Sequence, residues 1–156
     1  MTTREIRRAI AADAPAVREL TRAAYAKWVP LIGREPKPMT ADYDAAVKDH
    51  LVDLLHVAGE LVGLIEMVPE AGYLLIENVA VAPAFQGQGY GRTLLAHAEH
   101  IAKSLGLGAM RLYTNQRFSE NLQLYNHLGY EVEREEVLPH GVAVHMSKPL
   151  RAGSAL

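Results

Sequence analysis

Three glycines stand at alternate positions in the stretch "AFQGQGYGRTLL" (Gly87, Gly89, Gly91), directly ahead of a leucine-rich run. Glycine is entropically costly and packs no core, so three this close imply a bare backbone that something approaches. The first amides of a helix lack intrahelical partners, and the helix dipole favours negative charge there. A glycine loop that opens a helix is therefore a place to hold phosphate. The plainer alternative is a tight strand-to-helix turn with no ligand, for which one glycine suffices. Two familiar phosphate loops do not fit. A Walker loop ends in Gly-Lys-Ser/Thr, whereas Gly91 is followed by Arg92-Thr93. The dinucleotide fingerprint G-x-G-x-x-G, begun at Gly87 or at Gly89, demands glycine where Arg92 or Leu94 stands.

Other chemistry is limited by what the chain contains. It has no cysteine, which removes disulfides, thiolate zinc sites and a thiol nucleophile. His97 and His100 lie three apart on an expected helix without an evident third ligand, so a solvated face is expected there and no metal. Glu131, Glu133 and Glu135 alternate along one run and read as its exposed face. The formal net charge of −2 gives no basic footprint for nucleic acid. No apolar run approaches membrane-spanning length, and the first residues lack the apolar core of a signal peptide. A cytoplasmic domain without membrane attachment is the default expectation.

The 156 residues, 49% hydrophobic and 22% charged, suit one globular domain with a real core. "REIRRAI" reads as a first strand, and Asp13 as the N-cap of an amphipathic helix over about 14–27 with Pro15 in its first turn. "WVPLIGREPKPMT" reads as a loop, and "ADYDAAVKDHL" as a second short helix. Three strand-like runs follow, "DLLHVA", "ELVGLIEMV" and "YLLIENVAVA", separated by breaks short enough for an antiparallel meander. Leu94, Leu95, Ala98, Ile101, Ala102 and Leu105 then form a helical stripe, with Gly106 at its end. "AMRLYT" is a strand. "SENLQLYNHLG" is a helix with Ser119 as its N-cap, and "YEVEREEV" and "VAVHMSK" are the last two strands. The order β-α-α-β-β-β-α-β-α-β-β predicts one α/β domain over 1–150 with a mixed sheet of about seven strands and about four helices. Residues 151–156 are expected to fray.

With the loop and the element order in place, "VAVAPAFQGQGYGRTLL" resembles the acetyl-coenzyme A motif of the GNAT superfamily of N-acetyltransferases, Gln/Arg-x-x-Gly-x-Gly/Ala. Here it is Gln86-Gly87-Gln88-Gly89-Tyr90-Gly91, preceded by Val81-Ala82-Pro83. The family's aromatic-then-Leu-Gly-Phe/Tyr feature occurs as Tyr125-Asn126-His127-Leu128-Gly129-Tyr130. The resemblance runs over nearly the whole chain. It implies a GNAT-like fold whose fourth and fifth strands splay apart into a cleft, with acetyl-coenzyme A as co-substrate and no metal.

The resemblance also implies roles for individual residues. Amides from Gly87 through Arg92, Gln88 and Tyr90 among them, would hold the coenzyme pyrophosphate. Arg92 would add a charge-assisted contact or else be a solvated first-turn arginine. The backbone of Val79-Ala80-Val81 would bond the pantetheine arm, and the Val79 amide would polarise the thioester carbonyl. Tyr125 would protonate the departing thiolate, the alternative being a packing residue between Leu122 and Leu128. Many members carry asparagine seven residues before this tyrosine. Here Phe118 stands there, and Asn121 is the residue that could take over the coenzyme contact.

"IENVAV" raises a second anomaly. A mid-sheet strand should be apolar on both faces, yet Glu77 and Asn78 are adjacent and would point to opposite sides. A buried carboxylate is costly unless paired. Glu77 shares parity with Val79 and Val81 unless a bulge intervenes, which aims it at the cleft mouth. There it can take a proton from an amine directly or through water; otherwise it pairs with a base such as Arg111. His145 is a second candidate base. Asn78 is expected to anchor a turn or backbone group, with substrate contact open.

The expected activity is transfer of an acetyl group from acetyl-coenzyme A to a primary amine of a small molecule or peptide. Without cysteine the expected route is direct attack by a neutral amine in a ternary complex. A non-catalytic acyl-coenzyme A sensor or interaction module on the same fold is the alternative. The stretch from Tyr25 to Tyr43 is expected to line the acceptor side, and its mixed charges single out no acceptor. A homodimer is left open.

Overall fold

The computed structural model describes residues 3–151. Of the tail expected to fray, residues 152–156 lie outside the described residues. Seven strands form one sheet in the order β1-β2-β3-β4-β5-β7-β6: β1 Arg4–Arg8, β2 Leu51–Val57, β3 Glu60–Pro69, β4 Tyr73–Val81, β5 Ala109–Asn115, β6 Glu131–Leu138 and β7 Gly141–Pro149. Strands β2 to β4 make the antiparallel meander that their short breaks predict, β1 joins it antiparallel to β2, and among the described residues only β4 and β5 run parallel. No helix among the described residues is long and apolar enough to cross a membrane.

Six helices flank the sheet: α1 Ala14–Tyr25, α2 Val29–Ile32, α3 Lys37–Thr40, α4 Tyr43–Asp49, α5 Tyr90–Ser104 and α6 Ser119–His127. The two four-residue turns, α2 and α3, fall where a loop was expected; each carries proline in its first turn, where the missing N–H costs no bond. α1 stops at Tyr25 and tightens into a 3-10 turn over Ala26–Trp28.

Two expected caps are corrected. The Asp13 carboxylate accepts from both terminal nitrogens of Arg7 (2.9 Å each) and from the Ile10 amide (2.8 Å), so it ties β1 to the entry turn and leaves α1 uncapped. The Arg7 pair, first among the causes, holds its pKa down at about 2. Phe118, not Ser119, occupies the N-cap position of α6, and no side chain caps it.

Apolar side chains form a core on each face of the sheet. Leu74, Ile76, Leu94, Leu95 and Tyr125 belong to the larger one, beneath α5 and α6, while Val17, Leu20, Tyr43, Leu54 and Ala80 build the other under α1 and α4. Gly63 on β3 permits the close seat of α5, because a β-carbon there would meet Leu94 Cδ1 and the Ala80 carbonyl at 3.0 Å. The charged strand β6 covers one edge and lies almost wholly exposed, Glu131, Glu133 and Glu135 included, as its alternation predicts.

Candidate active site

β4 and β5 pair over only four residues each, from Tyr73↔Ala109 to Ile76↔Leu112, and then part. Beyond that point β4 keeps its partner on one side only. Ala82 donates to the Val62 carbonyl of β3 (2.8 Å), and the Tyr25 hydroxyl lies 3.4 Å from the Val79 carbonyl oxygen. Because antiparallel strands alternate their bonding, Val79 and Val81 direct their backbone groups into the opening.

A bulge sits at the same place. On β3, Met67 faces Ile76 and Glu66 faces Asn78, which leaves Glu77 as the extra residue. The face presented by even-numbered residues changes there: Leu74 and Ile76 point to α5, whereas Asn78 and Ala80 point to α1. This corrects the parity expected from the sequence. Glu77 and Asn78 lie side by side on the α1 face, and Val79 and Val81 pack toward the α5 core.

One cavity of about 360 Å³ opens between the free end of β4, α5 and α6. Of the residues expected at the coenzyme, Val79, Ala80, Val81, Gln86, Gly87, Gly89, Tyr90, Gly91, Arg92 and Asn121 all line it. Gln88 does not; its Nε2 turns back toward the Ala84 carbonyl (3.4 Å). Gly87 and Gly89 have φ of +80° and +86°, with open space where a β-carbon would stand, so the backbone itself demands glycine there. Gly91 is different. It is helical, and an added β-carbon would make an ordinary 3.6 Å contact with Leu124 Cδ2. The first intrahelical bond runs from Thr93 to Gly89 (3.2 Å), so the amides of Tyr90, Gly91 and Arg92 lack helical partners. The side chain of Gln86 ties the loop to β4 and to the 3-10 turn after α1: Nε2 donates to the Val81 carbonyl (2.9 Å), and Oε1 accepts from Lys27 (3.0 Å). Tyr125 reaches the cavity from α6, packed edge-on against Tyr130, and burial pushes its phenol well above the usual range.

A second cavity of about 340 Å³ lies on the α1 face, and Tyr25 lines both. Its walls come from the expected stretch ending at Tyr43, from α4, and from the tip of the β6–β7 hairpin; its floor holds Glu66, Glu77 and Asn78. Glu77 accepts from the Tyr113 hydroxyl (3.2 Å) and lies 3.7 Å from Lys37 Nζ. The suggested partner Arg111 is elsewhere, paired with Glu133 at 3.3 Å. Asn78, 3% exposed, donates to Thr21 Oγ1 (3.2 Å) and the Tyr43 hydroxyl (3.3 Å) and accepts from Tyr25 (3.0 Å). It thus anchors side chains of both cavity walls where a turn or backbone contact was expected. Phe118 stacks on Trp28 with centroids 4.5 Å apart, an aromatic pair at the place where many relatives of the motif carry asparagine. His145 does not join either cavity: it pairs with Glu136 (3.0 Å) and tilts against the Tyr113 ring.

Several site residues were not singled out in the sequence. Glu66 carried the same signal as Glu77, a carboxylate within an apolar strand. Lys37 lies in the stretch expected on the acceptor side, but Tyr113 and His50 had no signal, because their roles depend on which elements the sheet brings together. His97, expected with His100 on a solvated face, instead bonds Asp53 at 2.6 Å.

The model of the Acetyltransferase (GNAT) family matches residues 15–130. The chain is 37% identical over 59 residues to N-alpha-acetyltransferase 80 of Mus musculus, a stretch that is 38% of this chain and 18% of that protein. It therefore spans less than a fifth of that relative's length. Among solved structures it is similar to the PaiA N-acetyltransferase from Thermoplasma acidophilum in complex with coenzyme A, at TM-score 0.80 and 21% identity, covering 95% of this chain and 99% of that one. It is also similar to the ribosomal-protein-S18-alanine N-acetyltransferase from Escherichia coli, at TM-score 0.74 and 21% identity, with 99% of each chain covered. The family match takes in the parted strands, the glycine loop and Tyr125 together, and by it the chain belongs to the GNAT acetyltransferase family.

Proposed function

We propose that the protein transfers the acetyl group of acetyl-coenzyme A directly to an amine, with the two ligands entering from opposite faces of the parted strands. The observation that carries this reading is the pair of cavities that share Tyr25 at the free end of β4. Names of relatives that specify N-acetylation support nitrogen as the acceptor atom.

The cavity under α5 fits the coenzyme chemically. Three helix-start amides, two left-handed glycines and the cations Lys27 and Arg92 suit a pyrophosphate. The backbone of Val79 and Val81, which no strand pairs on this side, suits the amides of a pantetheine arm, with Ala80 between them held on β3. When bound, acetyl-coenzyme A supplies an activated acyl group. The Val79 amide then polarises the acyl oxygen, as an oxyanion donor does. Tyr125, kept protonated by its burial, donates its proton to the sulfur. Glu77, facing the other cavity, holds the acceptor nitrogen and takes a proton from it. Asn121 and Gln86 complete the coenzyme wall.

The test is release of free coenzyme A over a panel of peptide N-termini, lysine, polyamines and aminoglycosides. Amine-dependent release supports the enzyme. Tight acetyl-coenzyme A binding with no release for any amine would support the sensor reading instead.

A further inference from the structure

Acetylation of an amine near neutral pH must remove two protons from nitrogen. The acceptor arrives as an ammonium and cannot attack until it loses the first. Once bonded to the acyl carbon, the nitrogen is again cationic and loses the second. One proton goes to the leaving sulfur, and one goes to solvent. Glu77 is placed for one of these transfers, but its carboxylate already accepts from Tyr113 and stands beside Lys37.

A second couple lines the same cavity. His50, between α4 and β2, presents Nδ1 to Glu66 Oε2 at 2.6 Å. The Glu66 side chain is 5% exposed, whereas that of His50 is 34% exposed. His50 is the one group hydrogen-bonded to that carboxylate among the described residues. A carboxylate that accepts from Nδ1–H fixes the tautomer and leaves Nε2 as the proton acceptor. The other buried couple, Asp53 with His97, differs in two respects: Arg8 also bonds Asp53, and the couple lines neither cavity. The charged groups sharing the cavity with His50 are Asp49 from α4, Glu77 from β4, and Arg34, Lys37 and Asp42 from the connecting stretch. The phenols of Tyr25, Tyr43 and Tyr113 face it as well.

Resting on the amine-acetyltransferase reading above, we infer that His50 is the base that takes the first proton from the incoming ammonium, with Glu66 as its positioning residue. The N–H bond of the ammonium breaks, its electron pair stays on nitrogen, and the proton moves to His50 Nε2 and from there to solvent. Glu77 takes the second proton after the new bond to carbon has formed; that proton replaces the one Tyr125 gives to the sulfur, so one proton in all goes to solvent. Burial, the leading cause, pushes Glu66 up, and the His50 hydrogen bond opposes that shift.

The two transfers separate by acceptor basicity. The probes are the alkyl amine that the wild-type chain acetylates fastest and methoxyamine, which is already neutral at about pH 7. His50→Gln should lower kcat/KM for the alkyl amine roughly tenfold to a hundredfold at about pH 7. That loss should exceed the loss for methoxyamine by at least about tenfold, and should shrink for the alkyl amine at about pH 9.5. Glu66→Gln should show the same pattern at smaller size, whereas Glu77→Gln should slow both amines alike. Melting curves confirm that each variant is folded. Equal losses for His50→Gln with both amines, no loss, or a loss with the alkyl amine unchanged between the two pH values would overturn the assignment. The last comparison decides the matter alone if methoxyamine is not turned over. A wild-type chain with no amine-dependent coenzyme A release would instead defeat the acetyltransferase reading itself.

Discussion

The two cavities on either side of β4 are built on different principles. The one beneath α5 offers a ligand much backbone: strand amides without a strand partner, helix-start amides and two glycines in the left-handed region. The one beneath α1 is lined by side chains drawn from helices, strands and a hairpin tip, with Glu66, Glu77, Asn78 and Lys37 among them. Backbone recognition constrains residue type locally, because only glycine tolerates φ near +80° without strain. Side-chain recognition constrains nothing local, and its residues are spread over the chain. The first cavity suits a ligand that stays the same across a family, and the second a ligand that varies.

The largest expected effect probes chemistry at the backbone-lined side. Tyr125→Phe should lower kcat roughly tenfold to a thousandfold while the Kd for acetyl-coenzyme A changes less than about threefold, as for loss of a general acid. Steady-state rates and calorimetry on the same preparation separate the two readouts; an unchanged kcat would leave Tyr125 as packing alone.

Next is the loop itself. Gly89→Val should weaken acetyl-coenzyme A binding by at least about 2 kcal/mol, or about thirtyfold, through strain at φ +86° and a side chain in the phosphate path. Gly91→Val should cost less, since Leu124 can yield to a helical side chain. Calorimetry that finds equal affinities for both variants and wild type would remove the phosphate from this loop.

The side-chain wall should respond differently. Asn78→Ala removes the partner shared by Thr21, Tyr25 and Tyr43 and should destabilise the fold by about 1–3 kcal/mol. Among folded molecules it should raise the KM for the amine more than the KM for acetyl-coenzyme A. The reverse ordering would blur the division between the cavities.

The smallest effect is on stability against pH. Burial, the leading cause, raises Glu66 above its ordinary value, so the folded chain holds that proton more tightly than the unfolded chain. The associated stability is fully present below the unfolded pKa of about 4.3 and is lost as pH rises through the folded value. Melting temperatures of wild type should therefore fall relative to Glu66→Gln as pH rises from about 4 to 7. A constant difference would mean that His50 fully offsets the burial.

The same contrast explains what the sequence discloses. The order of elements along the chain, the meander and both long helices follow from periodicity and turn residues. The glycine loop is legible because its chemistry demands one residue type at fixed spacing. The bulge at Glu77 is not, since it depends on the register that β3 imposes at Glu66 and Met67. That one extra residue moves Asn78 to the face of Glu77 and reverses the parity argument. Asp13 looks like a cap by type, but Arg7, six residues earlier, competes successfully for its carboxylate. His50 and Glu66 are sixteen residues apart on different elements, and no spacing rule links them.

Simultaneous occupation of both cavities is the central claim, and two-substrate initial rates test it most directly. With the best amine from the panel, reciprocal plots at several fixed acetyl-coenzyme A concentrations should intersect, as direct transfer in a ternary complex requires. Parallel lines, or acetylated protein trapped by mass spectrometry when no amine is present, would contradict it.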